Sequence, residues 1–83
     1  MPYITKENRQ KFMWIEDQLE MIGPDMQAGD LQYLIALAIK HMEPYNYQTM
    51  NDVMGALTGA QMEFYRRKVA LYEDTKIEAN GDV

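Results

Sequence analysis

From Thr49 to Asn80 the sequence has no proline, and large apolar residues return every seven positions at Met50, Leu57, Phe64 and Leu71. Val53 and Ala60 occupy the places between them, giving about three heptads of a coiled-coil-like seam. Such spacing puts the side chains on one face of a helix, whereas a strand would need alternation with period two. A helix over 50–79 would be ~45 Å long at 1.5 Å per residue. That exceeds the diameter expected of a domain of 83 residues, so its end projects unless another chain packs there. Thr49-Met50-Asn51-Asp52 resembles a capping box with Asp in the Glu/Gln place, and Asn80-Gly81 suits a left-handed C-cap.

The rest of the chain carries two more helical patterns. Phe12, Ile15, Leu19 and Ile22 recur at spacings of three and four, and the Thr5 hydroxyl is placed to cap the start. Gly23-Pro24 should stop this helix, leaving residues 23–29 as a loop. A second helix is expected from about Asp30, whose carboxylate suits the positive end of the helix dipole. Leu31, Tyr33, Leu34, Ile35, Leu37 and Ile39 leave it almost no polar face, so it should be buried on most sides. Pro44 ends it, and 43–48 forms the connection. The sequence therefore predicts an all-α fold of three helices, about 6–22, 30–43 and 50–79, in a single domain over 1–83. The expected arrangement is a helical hairpin or bundle completed by oligomerisation.

Composition removes much chemistry. There is no cysteine and no serine, which excludes disulfides, thiolate metal sites and the commonest nucleophiles. One histidine, His41, cannot build a His-rich metal site, and it reads as a residue at a helix end. Glu16/Glu20 and Glu73/Asp74 read as solvated faces. No metal, no cofactor and no catalytic residue is expected. Thirteen acidic against eight basic residues give a net charge of −5, which disfavours nucleic acid polymers and anionic membranes as partners. No targeting segment is visible, and the most apolar run, 31–39, is far short of the ~20 residues of a membrane span. A soluble cytoplasmic protein is expected.

Two groups of residues stand out. Gly55 and Gly59 lie one turn apart, each costing about 1 kcal/mol of helix propensity relative to alanine. Close approach of another helix would offset that cost. Met50, Val53, Gly55, Leu57, Gly59, Phe64 and Leu71 are thus the expected oligomer interface. The second group is Arg66-Arg67-Lys68, the one concentrated basic spot. Arg67 follows Val53 and Ala60 into a seam position that should be apolar, so its guanidinium needs an anion or a route to water. Glu63 four residues earlier, or Asp17 or Glu20 of the first helix, would serve. A phosphate would serve too, bound by the planar fork of Arg. Tyr65, Tyr45, Tyr47 and Asn46 add stacking faces and an amide, the residue types a nucleotide-like ligand uses. Tyrosines in a small helical protein also close core and interface rims.

The opening Met1-Pro2-Tyr3-Ile4, the central Tyr47-Gln48-Thr49-Met50-Asn51-Asp52, the run Glu63-Phe64-Tyr65-Arg66-Arg67 and the C-terminal Tyr72-Glu73-Asp74 through Lys76-Ile77 to Asn80-Gly81-Asp82-Val83 resemble a family of short uncharacterised proteins from bacteriophage and bacterial genomes. The resemblance spans nearly the whole chain. Relatives carry proline where this chain has Leu71, which implies a break in the last helix near residue 70. It also implies a phage or prophage origin, and action in the host cytoplasm. Two readings follow. One is a non-enzymatic accessory protein that oligomerises and sequesters a small phosphorylated, nucleotide-like signal, in the manner of an anti-defence sponge. The alternative is an acidic helical protein–protein interaction module, an adaptor or inhibitor of a host protein.

Overall fold

The helical chain starts where the sequence offers a cap: Thr5 Oγ1 accepts the Asn8 N–H at 3.3 Å. A computed structural model describes residues 4–83, so the Met1-Pro2-Tyr3 opening lies outside the described residues. Every element is helical, with no strand among the described residues. The chain divides into two units, Met1–Glu43 and Pro44–Val83.

In the first unit a 3-10 run, Glu7–Phe12, leads into helix α1, Met13–Ile22. Gly23–Asp25 then makes one further 3-10 turn with Pro24 in its opening positions, where the missing proline N–H leaves no bond unmade. The expected 23–29 loop is therefore much shorter. Only Met26 and Gln27 leave helical geometry before α2, Ala28–Lys40. A reciprocal capping box explains the early start. The Gln27 side chain accepts the Asp30 N–H, and Asp30 Oδ2 accepts the Gln27 N–H at 2.9 Å. Asp30 is thus a first-turn carboxylate at the third helical position, near the positive end of the dipole. α2 stops at Lys40, short of the expected 43. Tight bonds from the N–H groups of His41 and Met42 to the carbonyls of Ala38 and Ile39 close it, at 3.2 and 2.9 Å. Pro44 accounts for the stop, since it disfavours helix at the preceding Glu43.

In the second unit α3 spans Tyr47–Phe64, a π segment follows at Tyr65–Val69, and α4 runs Ala70–Asn80. Together they make the long third helix that the heptads predict. Its start differs in detail. Asn46 is the cap, and its Oδ1 accepts both the Thr49 N–H at 2.8 Å and the Thr49 hydroxyl at 3.0 Å. The Thr49–Asp52 box therefore does not form, and Asp52 Oδ1 instead accepts from Gln48 Nε2 at 2.9 Å. At the far end Gly81 takes a φ of 85°, which its missing Cβ permits, and its N–H donates to the Ile77 carbonyl at 2.7 Å.

The π segment alters the seam. Its wider turns take up one residue more than an α-helix would, which rotates everything beyond it by about 100°. Met50, Val53, Leu57, Ala60 and Phe64 keep the heptad register. Leu71 leaves it, and the next seam position falls on Tyr72. Arg67 lies inside the π segment and so does not continue the line of Val53 and Ala60. The irregularity expected near 70 is thus a π segment ending at Val69, not a break in the helix.

Neither unit has a dry interior of its own: no described residue is buried. Among the described residues of one chain, α2 is not covered on most sides. Tyr33 is 69% exposed and Leu31 52%, and only Leu34 and Ile39 of that helix are half-buried. A unit of about 40 residues has too few elements to surround an apolar helix. At Gly55 an added Cβ would meet no atom of the described residues within 4 Å.

Candidate functional site

Glu63 ends the last turn of α3 with its side chain only 19% exposed, and the π segment brings two guanidiniums to it. Its Oε1 accepts Arg67 Nε at 2.6 Å and Arg66 Nη2 at 2.7 Å. One carboxylate oxygen therefore holds two cations, from residues three and four places on. This is the first of the anions expected for Arg67. Both guanidiniums stay open to solvent, 64% and 57% exposed, so the pairs are surface pairs of small energetic weight. Lys68 has no ion pair among the described residues.

Tyr65, beside this cluster in sequence, turns elsewhere. Its hydroxyl donates to Glu73 Oε2 at 3.0 Å. Residues eight apart lie ~80° apart around a regular α-helix, but the extra residue of the π segment brings them to within ~20°. The bond therefore clamps the two flanks of the irregular segment. It also pushes the Tyr65 hydroxyl above its ordinary value of 10.0. The Glu73 hydrogen bond holds the proton, and the Glu73 charge, partial desolvation and the charge of Asp74 add to it. Tyr72 has its own companion, the Lys76 ammonium 5.5 Å from the ring centre.

The other ligand candidates are at the opposite end of α3. Tyr47 opens the helix and is 78% exposed, Asn46 spends its amide oxygen on the cap, and Tyr45 precedes both. Eighteen residues of helix hold Tyr47 and Tyr65 ~27 Å apart. One chain therefore does not bring Tyr45, Asn46 and Tyr47 together with Arg66, Arg67 and Lys68 around a single small molecule. Of the expected interface residues, Val53 is half-buried, while Met50, Leu57, Phe64 and Leu71 lie exposed along the second unit.

Sequence reasoning missed a groove in the first unit, about 550 Å³ in volume. Met21, Ile22, Met26, Tyr33, Leu34 and Leu37 line it with apolar surface, and Asp25 and Asp30 add two carboxylates. Its signal was present as apolar residues on both sides of the Gly23-Pro24 turn. Reading 23–29 as an open loop separated the two walls. Among the described residues no three His, Asp or Glu side chains gather as metal ligands would, and no helix is long and apolar enough to cross a membrane.

Residues 1–83 match the family model described as Domain of unknown function (DUF6899). The chain belongs to that family. No curated protein and no solved structure matches it. In this DUF6899 chain, then, chemistry-bearing residues form a shared-oxygen ion cluster, a tyrosine–carboxylate clamp and an apolar groove with two acids. His41 stands at the C-cap of α2, the helix-end position its sequence context suggests.

Proposed function

We propose that this protein is a non-enzymatic helical association module whose apolar faces are covered by a second copy of the chain. The observation that carries this is the absence of any buried residue among those described, in a chain where Trp14, Met21, Phe64 and Leu71 are all 60% exposed or more. Apolar surface left in water forfeits roughly 25 cal/mol per Å², so helices this bare gain their stability by association. The lack of cysteine and serine, and the single histidine, support a binding role over catalysis. Light scattering across a dilution series tests the proposal. A dimer or larger assembly at tens of micromolar, dissociating on dilution with loss of helical circular dichroism, is the expected result. A monomer that keeps full helicity at every concentration overturns it.

The Glu63–Arg66–Arg67 cluster favours a second reading: sequestration of a small phosphorylated, nucleotide-like molecule. Two guanidiniums already converge on one oxygen, and a phosphate competing with Glu63 would be offered both forks. The ~27 Å between Tyr47 and Tyr65 implies that any tyrosine–arginine pocket would be shared between copies. Calorimetry with cyclic and linear nucleotides tests this reading, which requires heat that Arg66→Ala and Arg67→Ala abolish. The resemblance of the sequence to phage proteins supports action in a host cytoplasm, under either reading.

A further inference from the structure

We infer that the groove of the first unit receives the π segment of a second copy, with Asp25 and Asp30 facing the cations around Lys68. The inference rests on the proposed self-association and names the surfaces that meet.

Two copies each carrying −5 repel one another overall, so association is favoured where opposite charges are brought together. Arg66-Arg67-Lys68 is the only run of consecutive cations in the sequence, and Lys68 has no ion pair among the described residues. Arg66 and Arg67 each give one bond to Glu63 and keep further donors in solvent. Exposed aromatic side chains stand immediately before the cations, Phe64 at 62% and Tyr65 at 49% exposed. The groove has the complementary make-up: six apolar side chains of the first unit with two carboxylates among them. Its volume of about 550 Å³ is in the range that holds a small ligand or a few large side chains. The Asp30 bond to Gln27 engages one carboxylate oxygen, which leaves the other to face a cation.

The geometry is reciprocal: the groove of each copy takes the π segment of the other, as two-fold symmetry requires. Charge reversal in separate chains tests it. Asp25→Lys alone sets like charges against Lys68, and Lys68→Glu alone sets them against the two acids. Each single variant should weaken the dimer by about tenfold or more in sedimentation equilibrium. An equimolar mixture of the two variants should form a heterodimer near wild-type strength, because one pair is swapped in sign and the other is native. The double variant Asp25→Lys/Lys68→Glu should dimerise alone. A wild-type chain that stays monomeric overturns self-association itself. A wild-type dimer indifferent to both reversals overturns only this docking and leaves the groove to another occupant. Weakening by each variant without recovery in the mixture overturns it as well, since it places the charge contact within one chain.

Discussion

At Tyr65 a single hydroxyl ties two flanks of an irregular helical segment together, and its protonation is part of the tie. The neutral phenol donates to Glu73, so the folded chain holds that proton more tightly than an unfolded chain does. The raised folded value means the contribution is fully present below the ordinary tyrosine value of 10.0 and is lost as pH climbs through the higher folded value. Subtracting the tyrosinate absorbance curve of Tyr65→Phe from that of the wild type should isolate one titration above the ordinary range. Glu73→Gln should return that titration toward 10.0. A second residue-scale expectation concerns the start of α3. Asn46→Ala removes the acceptor of two Thr49 donors and should cost about 1 kcal/mol in thermal melts, while Asn46→Asp should keep most of it.

The three helical runs were legible from the spacing of apolar residues and from Gly23-Pro24 and Pro44, because periodicity and missing N–H groups act locally. Element ends were less legible. Asn46 outcompeted Thr49 as the cap of α3 and Gln27 caps α2, choices between neighbouring polar side chains that depend on backbone geometry. The π segment had no signature of its own. It coincides with side-chain bonds from Glu63 to the two arginines and from Tyr65 to Glu73, and a heptad count passes straight through it. The Arg67–Glu63 pair was legible, being a four-residue spacing, while the groove was not, because its walls come from two helices. Gly55→Ala belongs to this scale. Its Cβ would meet no atom of the described residues, so the variant should raise helix stability by up to about 1 kcal/mol, read from circular dichroism melts.

For the molecule as a whole, the proposed self-association would make stability a function of concentration. The midpoint of thermal unfolding should climb as protein concentration is raised, in the manner of mass action, and differential scanning calorimetry over a hundredfold range would show the slope. Salt provides a separate lever. An association guided by Asp25, Asp30 and Lys68 against an overall −5 is subject to two opposed electrostatic effects. Screening relieves the global repulsion and also weakens the local attraction.

The extra residue absorbed between Tyr65 and Val69 also changes how the long helix would respond to mutation. Substitutions walked along it should hurt at intervals of three and four as far as Phe64. The rhythm then skips a beat, and Tyr72 rather than Leu71 becomes the next sensitive position, so one strip of contacts is tallied from two different zeros.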